Sequence, residues 1–304
     1  MLLRYVFLFA VSDLLYSPLS RAADLVKFES ASVPVSEFQQ KRAQARGEVL
    51  HPARGDEIQA YTIKPPGNGP HPVIIYLPDC GGLAPEVKLK EFDPEHLALS
   101  PDKGGLTENS REVFWTKRLL SWGFAVVLVD SYTPRGINDT CADPKRGTTR
   151  VPDAYGALAY VAKQPWADPQ RIGLLGFQTG DHWRVPVTGD STAYVIGTER
   201  FKAAVAFVYS PSCGLKSPMA APTLVVNGVS VAERAETCPR LTAQQTEGGA
   251  PTEERVAPSL FKNFEPNSAM PDKTTFAEWL RAEPNHAEMA AAQVKEFLVQ
   301  HLKP

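Results

Sequence analysis

The chain has 304 residues, 43% of them hydrophobic and 22% charged, with a formal net charge of −2. That length holds one large α/β domain or two small ones, and the near-neutral balance gives no electrostatic footing for nucleic acid or an anionic membrane. The 27 prolines, roughly twice the usual share, point to long, stiffened loops, and no internal repeat or low-complexity tract is present.

Residues 1–22 read as a secretory signal. Arg4 gives a basic start, residues 5–11 are apolar, and Ser20-Arg21-Ala22 fits a small-x-small cleavage site. Asp13 interrupts the apolar stretch, and the competing reading is a disordered or core-packing N-terminus. The run is too short to span a bilayer, and no cysteine at the cleavage point indicates lipid anchoring. Residues 23–304 are expected to form one domain, exported to the periplasm or secreted.

Residues 57–64 alternate like a strand, and 73–77 form a continuous apolar run before a Pro-Asp-Cys-Gly-Gly turn, as in a strand buried on both faces. Residues 84–109 then make a polar, proline-bearing loop, long enough for a lid or a contact surface. Val113, Phe114, Leu119 and Leu120 mark a helix over 110–122. A second buried strand at 125–129 ends at Asp130, and 152–163 reads as a helix with Pro near its start. Further strands are expected at 171–176, 203–208, 223–226 and 260–264, and a last helix at 287–302.

Alternating buried strands and amphipathic helices mean a mostly parallel sheet with helices on both faces. Ligands in such sheets sit beyond the carboxyl ends of the strands. The segments following the expected strands are 78–83, 130–141, 178–183, 209–214, 227–233 and 265–272. The third of these opens in Gly176-Phe177-Gln178-Thr179-Gly180, a glycine-flanked turn of the nucleophile-elbow form G-x-S-x-G with glutamine at the tip.

The four cysteines, Cys80, Cys141, Cys213 and Cys238, are even in number and widely spaced, with no C-x-x-C pair. A zinc site is not expected, and no other metal or cofactor is. Two disulfides in an oxidising compartment fit better. Buried free thiols are the alternative.

The blocks "VIIYLPDCGGL", "VDSYTPRGINDTC", "VPDAYGALAYVAKQPWADPQRIGLLGF" and "FKAAVAFVYSPSCG" together resemble the dienelactone hydrolase family of α/β-hydrolases, especially its exported members. The resemblance runs from about residue 73 to the C-terminus and implies the α/β-hydrolase fold. It also implies a Ser or Cys at the elbow, an acid after a later strand and a His after the last strand. In that arrangement the nucleophile attacks a carbonyl, the His takes its proton and the acid fixes the imidazole tautomer.

Each of those positions departs from the family. Gln178 stands at the elbow, and an amide cannot form an acyl-enzyme. Val231 or Ala232 falls at the acid position, with Glu233 one or two residues out of register. Ala269 or Met270 falls at the His position, and His286 comes too late to match. The backbone oxyanion hole, from Thr179 and the Cys80-Gly81-Gly82 turn, could survive. Pro78-Asp79 replaces the family's His-Gly there, however, and sets a carboxylate near a site meant to stabilise negative charge. Asp181, His182, Trp183 and Arg184 are bulky or charged, and Pro186 and Gly189 cut short the helix expected after the elbow.

Three readings follow. In the first, the scaffold is a pseudo-hydrolase whose cleft binds a small molecule or supports an interface. In the second, it is an active ester or lactone hydrolase with a relocated site. The nucleophile would then come from Cys80, Thr179, Ser210 or Ser212 and the base from His182 or His286. In the third, it is a periplasmic protein-interaction module that uses the 84–109 loop. The fold's usual strand order further implies the pairs Cys80–Cys141 and Cys213–Cys238. Asp130, Arg135, Arg150 and Asp153 are expected to bond structurally, and Trp122 and Trp166 to pack.

Overall fold

The computed structural model describes residues 23–32, 35–78, 82–83, 111–137, 140, 150–177, 194, 197–208, 219–227, 250–256 and 284–303. Its frame is an eight-stranded sheet, labelled here β1 (Asp24–Glu29), β2 (Glu57–Ile63), β3 (His71–Leu77), β4 (Ala125–Asp130), β5 (Ala167–Phe177), β6 (Ala203–Val208), β7 (Thr223–Asn227) and β8 (Thr252–Val256). The spatial order is β1-β2-β4-β3-β5-β6-β7-β8. From β4 to β8 every pairing is parallel, while β2 runs antiparallel to both β1 and β4.

Side-chain alternation along the strands divides the core in two. Ile74, Tyr76, Val126, Leu128, Leu175, Phe177, Val205 and Phe207 face one way, against α2 (Arg111–Ser121) and the C-terminal helix α4 (Pro284–Leu302). Val73, Ile75, Val127, Val129, Ile172, Leu174 and Ala204 face the other way, against α3 (Val151–Val161). Both faces are covered, which is why β3 and β4 read as unbroken apolar runs.

Glycine sets two of the close approaches. A Cβ at Gly156 of α3 would stand 2.4 Å from the carbonyl oxygen of Glu29 in β1, so only glycine lets the helix lie that near. Gly82, in the turn after β3, has φ +71°. A Cβ there would meet the Tyr132 ring at 2.6 Å.

Three elements escape the hydrophobic pattern. The short β1 precedes the stretch read for strands. The helix α1 (Glu37–Gln44) is polar on nearly every side, with Ala43 its one buried residue, and is marked instead by a capping box between Ser36 and Gln39. The edge strand β8 reads Thr-Glu-Glu-Arg-Val, with charged residues at its centre. The strand beside β7 is therefore β8, placed well before the expected 260–264, which lies outside the described residues. The other elements match their expected positions within a few residues, with β5 four residues longer at its start.

Candidate functional site

In a parallel sheet the crevice for a ligand forms where neighbouring strands send their connections in opposite directions. Here that point lies between β3 and β5. From β3 the chain passes through α2 to β4 on one side, and from β5 it passes on to β6 on the other. The two strands pair directly up to Leu77 opposite Gly176. The segments that follow Leu77 and Phe177 therefore leave the same edge at adjacent strands. The loops after β4, β6 and β7 leave that edge too.

On the β4 side the polar groups are spent on structure. Asp130 Oδ1 accepts the backbone N–H groups of Tyr132 and Thr133 at 3.2 and 3.0 Å, and its Oδ2 accepts from Gln59 at 2.7 Å. That closes an Asx turn and ties it to β2. The Asp130 charge, behind burial as the larger cause, raises the Tyr61 phenol above its ordinary value.

Arg135 holds the buried Asp153 with two nitrogens, Nη1 to Oδ2 at 2.8 Å and Nη2 to Oδ1 at 2.9 Å. Its remaining donors go to Asp56 (2.7 Å) and the Ser131 carbonyl (2.7 Å), and Ser30 donates to Asp153 at 2.6 Å. Burial alone would lower the Arg135 pKa; the bonds to Asp153 and Asp56 outweigh it and leave the group raised. The fork thus joins the chain just after β1, the 3-10 turn Thr133–Arg135 and α3. Arg150, fully buried, stacks over the Tyr132 ring at 5.2 Å. Tyr132 Oη lies 2.9 Å from Thr140 Oγ1. The structural roles expected of Asp130, Arg135 and Asp153 hold, as does packing for Trp122 and Trp166, which lie against the two cores.

On the opposite face, at the end of β5, stands a second charged group that the sequence reading passed over. Arg111 opens α2, and its Nε and Nη2 donate to Glu112 Oε1 at 3.2 and 3.0 Å. Tyr76 Oη, from β3, donates to the same oxygen at 3.3 Å. The guanidinium lies 4.5 Å from the Phe177 ring centroid. Phe177 in turn stacks on Phe207 at 4.6 Å with an interplanar angle of 7° and touches Tyr76 at 5.6 Å. No sequence signal isolates this cluster, because Arg-Glu at a helix start looks like a solvated pair and Tyr76 sits inside an apolar run.

Of the residues singled out for chemistry, Cys80, Gly81, Gln178, Thr179, His182, Ser210 and Ser212 lie outside the described residues, as do Cys141, Cys213 and Cys238. So do Val231, Ala232, Glu233, Ala269 and Met270. His286 is the third residue of α4. Among the described residues, no group of three His, Cys, Asp or Glu side chains is arranged to hold a metal ion. Nor is any described helix long and apolar enough to cross a membrane.

Eight strands in the order β1-β2-β4-β3-β5-β6-β7-β8, with the second antiparallel to its neighbours, define the α/β-hydrolase fold. Similar solved structures include a protein of Klebsiella pneumoniae subsp. pneumoniae MGH 78578 assigned as a dienelactone hydrolase, at 15% identity and TM-score 0.49, covering 91% of this chain and 99% of that one. An S-formylglutathione hydrolase from Agrobacterium tumefaciens matches at 14% identity and TM-score 0.45, covering 92% and 96%. A dipeptidyl peptidase 4 from Porphyromonas gingivalis matches at 16% and 0.46, where 92% of this chain corresponds to 42% of the longer one. No protein-family model and no curated protein matches the chain.

Proposed function

We propose that the chain is an α/β-hydrolase scaffold that binds a small molecule at the β3/β5 crevice without forming an acyl-enzyme at its elbow. The observation that carries this is the end of β5. The strand finishes at Phe177, so the elbow tip is Gln178, which has neither hydroxyl nor thiol. The partner roles point the same way. After β7, which ends at Asn227, the next carboxylate is Glu233, and between the end of β8 at Val256 and His286 the sequence holds no histidine.

Export, with removal of residues 1–22, and disulfides among the four cysteines belong to the same proposal and rest on the sequence. A relocated catalytic site built on Cys80, Thr179, Ser210 or Ser212 is the reading to defeat. An active-site titration with an activated short-chain ester tests the main point. The proposal expects no burst of leaving group and no acylated peptide by mass spectrometry. A stoichiometric burst with an acyl group on any of those side chains contradicts it.

A further inference from the structure

The strand β1 is held unevenly along its length. Among the described residues it pairs with β2 alone, and within it Phe28 is the one buried residue. Its ion pairs, Asp24 with Lys64, Lys27 with Glu57 and Glu29 with Arg54, are exposed, and bridges of that kind contribute little. The hold lies instead at residues 28–31, along one face of α3. The Phe28 ring stacks on Tyr160 at 5.4 Å. The Glu29 carbonyl lies over Gly156, where a Cβ would overlap it. Ser30 Oγ donates to Asp153 Oδ1 at 2.6 Å, and the Ala31 N–H donates to the Pro152 carbonyl at 2.9 Å. Tyr160, Gly156 and Asp153 follow one another at the spacing of a single helix face, while Ala154, Leu158 and Val161 belong to the core against the sheet. On its other side the same stretch is backed by Gly55, which has no room for a Cβ beside the Ser30 carbonyl. The Asp56 carbonyl there accepts the Ser30 N–H at 2.8 Å.

Asp153 carries that hold to the carboxyl edge of the sheet. Its two oxygens, one of them shared with Ser30, take the fork of Arg135, whose Nη1 also donates to the Ser131 carbonyl at 2.7 Å. Arg135 closes the 3-10 turn that follows β4, and Tyr132, at the head of that turn, lies against Gly82 in the segment that follows β3. Asp153 has no exposed surface while Ser30 is in place. Lifting Ser30 away lets water reach that carboxylate, and the fork must then compete with solvent. We infer that residues 24–31 are a strap that docks on α3 and releases as one unit, latched by Ser30, and that its docking orders the turn at residues 131–137. Sub-global opening of this kind occurs where few apolar side chains are buried and exposed bonds make up the rest. The coupling is a free energy between two places, so it acts in both directions: a looser turn releases the strap, and an occupant that braces the turn tightens it.

Hydrogen–deuterium exchange on the full chain tests it without a ligand. In the wild type, residues 24–31 should exchange together and faster than β3, β4 and β5. The amides of Arg135, Gly136 and Ile137 donate within their own turn and report its order. Ser30→Ala removes the latch and keeps the backbone. It should raise exchange about tenfold, the scale of a lost hydrogen bond to a charged group, at 24–31 and at 131–137 alike, with β3 and β5 unchanged. Arg135→Gln should, by reciprocity, raise exchange in the strap. If Ser30→Ala does not fold, Tyr160→Leu, at the far end of the α3 face, carries the test with the same two responses. The inference is overturned by a strap no faster than β3 in the wild type, or by a latch variant whose response stays within 24–31. An unmoved strap in Arg135→Gln, or an equal rise across the whole sheet, overturns it as well.

Discussion

Two arginine–carboxylate pairs are buried near the carboxyl edge of the sheet, on opposite faces, and they are built differently. Arg135 meets Asp153 fork to fork, and Ser30 and Asp56 satisfy what remains, across sequence separations of 18, 123 and 79 residues. Arg111 meets its own neighbour, and three donors crowd one oxygen while the cation's face lies on a ring. The first pair ties α3 and the turn after β4 to the segments flanking β1 and β2. In the second, the guanidinium lies over the Phe177 ring at the end of β5. Burial of charge alone therefore does not mark a site: the Arg135 fork is spent on joining elements.

The contrast breaks first at Asp153. Asp153→Ala leaves Arg135 with Asp56 and the Ser131 carbonyl and should cost about 3–5 kcal/mol of unfolding free energy, the usual penalty for halving a buried pair. Denaturant titration checks it; a loss under about 1 kcal/mol would mean that the fork behaves like a surface bridge.

A covalent tie would strengthen the same side. Gly82 touches Tyr132, whose hydroxyl reaches Thr140. Cys80 lies two residues before Gly82 and Cys141 directly follows Thr140. Both cysteines lie outside the described residues, and their pairing is what the family resemblance implies. Two thiols giving two protons and two electrons to oxidised glutathione should yield this bridge, worth about 2–4 kcal/mol. Non-reducing peptide mapping checks the linkage. An alkylatable Cys80 in oxidised protein refutes it and returns Cys80 to the list of nucleophiles.

Next in size is Gly156→Ala. The added methyl meets a backbone carbonyl that cannot swing away, so α3 and β1 must separate, at about 1–3 kcal/mol. Proteolysis should then open the β1 edge first.

The smallest effect lies at Asp168. Burial would raise its pKa, but hydrogen bonds from Arg171 and the Gln170 N–H outweigh this and lower it from 3.8. A depressed carboxylate contributes stability above its unfolded pKa and loses it as pH falls through the folded value. Asp168→Asn should therefore cost about 0.5–1 kcal/mol near neutrality, with the difference from wild type vanishing in the acid range below 3.8. A difference that persists there would show a packing effect instead.

Most of the frame was legible because it is apolar. β3, β4, β6 and β7 are runs of buried β-branched and aliphatic residues, and their neighbouring helices carry a 3.6-residue pattern. β8 and α1 were not legible, since an edge strand and a solvated helix gain little from apolar periodicity. The elbow was found through its glycines, and its glutamine could be read directly. The Arg111 cluster was hidden for a different reason. Adjacent Arg and Glu at a helix start carry no sign of burial, and the strand order alone brings Tyr76 and Phe177 to them.

The central proposal is that the chain forms no acyl-enzyme at Gln178. Labelling the folded protein with a fluorophosphonate, beside a Gln178→Ala variant, tests it most directly. The expected result is no adduct in either protein, and equal, background-level hydrolysis of an activated ester. Labelling of a serine, threonine or cysteine at the crevice, or turnover that falls in Gln178→Ala, would contradict it.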